Sequence, residues 1–145
     1  MHFKDLSVCS YFSQPELPQL IAIGWLERGY EYATGDVTPE LVPRLVELRV
    51  MRSSPWNRVF VGGHRCSLCG SADSFSMRNL LVPGPDVIYV TPEGIIHYVM
   101  SHRYRPPNEF VAAALAAPPA GSAEYYAALS RNGWPAEFVW HFPAG

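Results

Sequence analysis

Three cysteines in a chain of 145 residues are too few for a disulfide scaffold, and an odd number cannot all pair with one another. Charge is scarce as well: Asp, Glu, Lys and Arg make up 17% of the residues, and the formal net charge is −2. A slightly acidic, lightly charged chain gives no electrostatic ground for nucleic acid as the main partner. Long hydrophobic runs are missing too. The longest smooth one, Phe110 to Ala117, is alanine-rich and closed by Pro118-Pro119, far short of the ~20 apolar residues that cross a bilayer. No apolar segment follows Met1-His2-Phe3-Lys4-Asp5, so no secretory signal is expected. Common catalytic signatures are also missing. The chain has no His-Glu-x-x-His, no Gly-x-Ser-x-Gly elbow, and no His-x-Glu paired with Pro-Cys-x-x-Cys; Gly62-Gly63 lacks the lysine and spacing of a phosphate loop.

What is present suits a cytoplasmic globular protein. Hydrophobic residues reach 48% and aromatics 13%, and a chain of this length can bury roughly two thirds of its unfolded surface. One domain over residues 1–145 is expected, with a core at about 11–118 and a C-terminal helix and aromatic tail at 119–145. Fourteen prolines segment it. Residues 1–19 read as irregular. Leu20 to Leu26 is an apolar run of buried-strand type, and Gly29 to Asp36 reads as a loop. Thr38-Pro39-Glu40 opens a helix striped by Leu41, Leu45 and Leu48 and ended by Ser53-Ser54-Pro55.

Arg58 to Val61 is strand-like. Asn79 to Val82 and Asp86 to Val90, joined by Pro83-Gly84-Pro85, predict a hairpin. Thr91-Pro92-Glu93 repeats the helix-start signal, and that helix is expected to end near Arg103. A third helix spans Pro107 to Ala117. A fourth is capped by Ser122 and stopped by Asn132-Gly133. The sum is an α+β fold, a small antiparallel sheet packed on one face by about four helices.

The chemistry concentrates in Cys66-Ser67-Leu68-Cys69-Gly70 and in His97 and His102. Two thiols with two residues between them, followed by two imidazoles, are the ligand inventory of a tetrahedral zinc site. Gly70 sharpens the reading, because a tight Cys-x-x-Cys turn often needs φ > 0 after the second cysteine. Thiolate ligands favour Zn²⁺ over Mg²⁺ or Ca²⁺. The expected set is Cys66, Cys69, His97 and His102. On a regular helix, positions five apart point about 140° away from one another, so both histidines reach one ion only if the helix tightens or unwinds before His102. His64 is the rival ligand for either place. A redox pair is the alternative for the cysteines, but Gly70-Ser71-Ala72-Asp73 is a poor start for the helix such a pair opens. Glu93 could act as a base at an open metal position, although helix capping accounts for it.

Four arginines, Arg65, Arg78, Arg103 and Arg105, lie close in sequence to the candidate ligands. They would suit a nucleic-acid surface only if gathered on one face. Trp25, Tyr30 and Tyr32 are candidates for either a recognition surface or a cover over the sheet edge, and the tail residues Trp134, Phe138, Trp140 and Phe142 for docking on the chain's own core or on a partner's groove.

Several stretches together resemble a family of small uncharacterised bacterial proteins. They are Ile23-Gly24-Trp25-Leu26, Tyr32-Ala33-Thr34-Gly35, His64-Arg65-Cys66-Ser67-Leu68-Cys69, Asn79 to Gly84, Ile88-Tyr89-Val90, and His97-Tyr98 through His102-Arg103-Tyr104-Arg105-Pro106-Pro107. The resemblance covers about residues 11–118 and implies a bacterial origin and one compact unit carrying the Cys/His set. It lends nothing to mechanism. The expected function is a non-catalytic binding protein with a structural zinc, for which an immunity protein that neutralises a toxin is one concrete form. Its expected partner is another protein. The alternatives are a zinc-dependent hydrolase with an open metal position and a nucleic-acid-binding zinc module.

Overall fold

A computed structural model describes residues 2–10, 17–49, 59–71 and 76–135. In chain order the elements are β1 (Leu20–Ala22), α1 (Leu41–Arg49), β2 (Val59–His64), β3 (Ser76–Pro83), β4 (Ile88–Pro92), α2 (Ile95–Ser101), α3 (Asn108–Ala116) and α4 (Ala123–Arg131). The class is α+β, with four helices and one small sheet of order β1-β4-β3-β2 among the described residues.

β4 is the strand around which the rest assembles. All five of its residues are buried, which fits its β-branched and aromatic content. It pairs with β3 as the predicted hairpin, in a register running from Asn79 opposite Pro92 to Pro83 opposite Ile88. The Gly84 N–H closes the turn on the Val87 carbonyl. On its other side β4 pairs with β1 in parallel, Leu20 opposite Ile88. The sheet is therefore mixed rather than wholly antiparallel. The segment from residue 23 to 87 that separates these two strands is long enough to bring the chain back in the same direction.

β1 is shorter than the apolar run suggested. Gly24 takes φ +74 and turns the chain out of the strand after Ile23. A side chain is excluded there, since a Cβ would come within 3.0 Å of Thr91 Oγ1 and 3.1 Å of Ile95 Cδ1. The residues beyond still belong to the core: Trp25 is buried and its indole N–H donates to the Val90 carbonyl at 2.9 Å. The N-terminal segment, expected to be irregular, lies antiparallel to β1. Val8 bridges Ile21, and Ala22 exchanges hydrogen bonds with Leu6 and Ser7.

Of the two Thr-Pro-Glu signals, the first leads directly into a helix, α1 beginning at Leu41, although the Thr38 hydroxyl donates to the Glu40 carboxylate and not to the helix backbone. Leu41, Leu45 and Leu48 bury the core side of α1, worth roughly 5–9 kcal/mol as an upper estimate before chain entropy. The end predicted for that helix at Ser53-Ser54-Pro55 falls outside the described residues. Thr91, by contrast, is fully buried inside β4, opposite Leu80, and caps nothing. α2 starts later, at Ile95, with Gly94 as its unassisted N-cap. Pairing with β3 has taken the residues that local chemistry assigned to a cap. α4 follows its signals closely: the Ser122 hydroxyl accepts the Tyr125 N–H at 3.1 Å, and Gly133 sits at φ +96 past the end. β3 touches α1, α3 and α4. Of the aromatic tail, Trp134 is buried; Phe138, Trp140 and Phe142 lie outside the described residues.

Candidate metal centre

The first half of the centre is the turn that follows β2. Its geometry comes from Gly70, which adopts φ +65 and donates its N–H back to the Cys66 carbonyl at 2.7 Å. Inside that turn the backbone N–H groups of Leu68 and Cys69 donate to the Cys66 thiolate. Cys66 is buried, whereas Cys69 is exposed. Burial pushes the Cys66 thiol above its ordinary value. An adjacent cation would favour the thiolate at this position.

The second half comes from α2 and its exit. His97 projects from the helix, which ends at Ser101. His102, with φ −122 and ψ 12, has already left helical geometry. Arg103 then takes a left-handed φ of 54. The N–H groups of His102 and Tyr104 both fold onto the Tyr98 carbonyl, at 3.0 and 3.2 Å. This is a helix stop built on a left-handed residue, a role usually filled by glycine. It removes the angular conflict of a regular helix, so both imidazoles face one point. Tyr98 is buried beside them, its hydroxyl pushed up to about 12 by burial and by the two cysteine thiolates.

The four predicted residues converge. Their donor atoms all lie within 4.8 Å of one another. Cys66 Sγ lies 3.4 Å from His102 Nε2, Cys69 Sγ 3.3 Å from His97 Nε2, and the two Nε2 atoms are 3.2 Å apart. A tetrahedral ion with metal–sulfur and metal–nitrogen bonds of ordinary zinc length requires edges of about 3.3 Å between nitrogens and about 3.5 Å between nitrogen and sulfur. The observed edges agree to within about 0.2 Å, and two Cys and two His are thus close enough to bind a metal ion.

The remaining candidates sit elsewhere. His64 ends β2, where its backbone pairs with Ser76, and its side chain lies outside the described structure, as does that of Arg78. Glu93 is absent from the donor cluster, and its carbonyl accepts the Ile96 N–H at the start of α2. Arg65, Arg103 and Arg105 are exposed. Arg103 is directed to Asp36 at 3.5 Å, and Arg105 to the Asn108 side chain. Exposed Tyr30 stacks on His2, with ring centroids 3.9 Å apart. A groove of about 630 Å³ lies between the β3–β4 turn and helices α3 and α4, lined by Pro83, Val87, Tyr89, Ala113 and Arg131 among others. It shares no residue with the Cys/His cluster.

Sequence reading missed the residues that support the cluster from outside. Arg28 donates its backbone N–H to Ser67 Oγ at 2.8 Å and its guanidinium Nη2 to the Leu68 carbonyl at 3.1 Å. The Tyr32 hydroxyl donates to the His102 carbonyl at 3.4 Å. Thr34 bridges Tyr104, Gly35 donates to the Arg103 carbonyl, and Arg105 donates to the Ala33 carbonyl. The segment 28–36 thus fastens to the cysteine turn at one end and to the helix exit at the other. No local motif marks these contacts, each of which joins residues at least 39 positions apart.

Fold and site together define an α+β protein with a Cys2His2 cluster able to hold a metal ion. The chain belongs to the family described as a domain of unknown function, DUF7919, whose model matches residues 1–115. All four cluster residues fall within that span, and α4 lies beyond it. No curated protein and no solved structure matches the chain. Among the described residues, no helix is long and apolar enough to cross a membrane.

Proposed function

We propose that this chain is a non-catalytic binding protein whose fold is stapled by a structural zinc ion on Cys66, Cys69, His97 and His102. One observation carries the reading: four protein donor atoms within 4.8 Å of one another, two sulfur and two nitrogen. Four protein donors complete a tetrahedron, the closed pattern of structural zinc sites; catalytic sites keep one position for water. No carboxylate joins the cluster among the described residues. Thiolate and imidazole ligands favour zinc over magnesium or calcium, and a reducing cytoplasm would keep the thiols available. Another protein is the partner we propose. Met100 on α2 and Tyr30 on the 28–36 segment, exposed at 68% and 53%, are apolar side chains such a partner would reach. A toxin-neutralising immunity role is one form of it.

The test is metal content by elemental mass spectrometry, followed by Co²⁺ substitution. One zinc per chain is expected, with a tetrahedral Co²⁺ spectrum that added azide leaves unchanged. A spectrum that shifts with azide would reveal an open coordination position and replace this reading with the zinc hydrolase. A purified protein that neither carries nor takes up zinc would sink the staple.

A further inference from the structure

A second hydrogen-bond chain reaches the cluster from outside it. The Arg28 guanidinium binds the Leu68 carbonyl oxygen at 3.1 Å. That carbonyl and the Cys69 N–H belong to the same peptide group, and the Cys69 N–H points its hydrogen bond at the Cys66 sulfur. Guanidinium, peptide and sulfur are therefore connected in series. Hydrogen bonds in series polarise one another, and a cation bound at the carbonyl makes the N–H at the far side of the amide a stronger donor. The backbone of Arg28 is fixed as well, through its N–H to Ser67 Oγ at 2.8 Å, so the side chain departs from an anchored point.

Resting on the metal-binding reading above, we propose that Arg28 is a positioning residue of the metal centre that acts on Cys66 through the Leu68–Cys69 peptide. It touches neither the metal nor a ligand atom. Its charge bears on the Cys66 sulfur through that peptide, and its hydrogen bonds to Ser67 and Leu68 hold the turn in which both sulfurs face the ion. Outer contacts of this kind are typically worth 10- to 100-fold in metal affinity.

The experiment uses the full chain loaded with Co²⁺, alone and in competition with Zn²⁺, for wild type, Arg28→Ala, Arg28→Lys and Arg28→Gln. Circular dichroism of the zinc-loaded forms checks that each variant folds; Arg28 is exposed, so all are expected to. Arg28→Ala should bind about tenfold more weakly. Its thiolate-to-cobalt charge-transfer band should move to lower energy, because an unpolarised thiolate gives up its electron more readily. Arg28→Lys keeps the charge and should hold the band near the wild-type position. Arg28→Gln keeps a donor without the charge and should show the shifted band. A wild-type band in Arg28→Ala or in Arg28→Gln would overturn the proposal while leaving the zinc staple standing. Failure of the wild type to bind either metal would remove both.

Discussion

Replacement of Gly70 by alanine isolates one physical effect. The residue holds φ +65 at the end of the cysteine turn, and an added Cβ would meet nothing within 4 Å. Steric collision therefore contributes nothing, and the whole effect is conformational. Placing an L-residue in the left-handed region costs about 1–2 kcal/mol. Alanine also narrows the unfolded ensemble, which returns about 0.4–1 kcal/mol. The net loss should be about 1 kcal/mol. With a urea slope of about 2 kcal/mol/M, the unfolding midpoint of the zinc-loaded protein should fall by about 0.5 M. Gly70→Asn should lose less, because asparagine tolerates this conformation. The Co²⁺ spectrum of both variants should match the wild type, since no ligand has changed. An unchanged midpoint for Gly70→Ala would refute the assignment of a required left-handed turn. A fall beyond about 1.5 M would show that the side chain meets something in the folded turn.

Other positions allow equally definite expectations. Arg103→Gly, at φ 54 in the exit from α2, should raise the urea midpoint by the equivalent of up to about 1 kcal/mol, the reverse of the effect at Gly70; no gain would mean the helix stop is not under strain. Cys66→Ser should remove the dependence of the melting temperature on zinc. Structural zinc supplies on the order of 10 kcal/mol near neutral pH, comparable to the whole stability of an ordinary domain, so a variant equally stable and still metal-loaded contradicts the staple. Alkaline pH should destabilise the fold. Burial raises Tyr125, whose hydroxyl donates to the Leu81 carbonyl at 2.6 Å, and burial followed by Glu109 raises Tyr89. Both stay protonated in the folded protein while the unfolded chain ionises near pH 10. Their contribution is complete below about pH 10 and is lost as pH rises through the raised folded values. Urea midpoints measured from about pH 9 to 11 should show that decline, with a slope of up to about 1.4 kcal/mol per pH unit for each tyrosine, and Tyr125→Phe should flatten it.

Much of this arrangement was legible because its causes are local. The φ of Gly70, the cap of α4 at Ser122, its stop at Gly133 and the Pro83-Gly84-Pro85 turn each follow from the conformational range of one or two residues. Convergence of Cys66, Cys69, His97 and His102 was readable from residue type and spacing. How α2 breaks to allow it was not. The break depends on Arg103 accepting a conformation that arginine rarely takes. Thr91 misled for the opposite cause: a good capping residue became a fully buried strand residue because β3 and β4 pair through it. Parallel pairing of β1 with β4, the reach of Arg28 to Leu68, and the bond from the Tyr104 hydroxyl to Asp5 across 99 residues are long-range results of packing. No window of the sequence contains both partners of any of them.

The segment from Arg28 to Asp36 contributes no ligand to the cluster, yet it grips both the cysteine turn and the exit of α2. The two halves of the centre are consequently tied to each other through a third piece of chain as well as through their own side chains. Arg28 holds that strap to the cysteine turn, and the Gly35 and Arg105 N–H groups hold it to the exit of α2. Strain at either loop is therefore shared by both, across a strap whose middle residues, Tyr30 and Glu31, lie exposed.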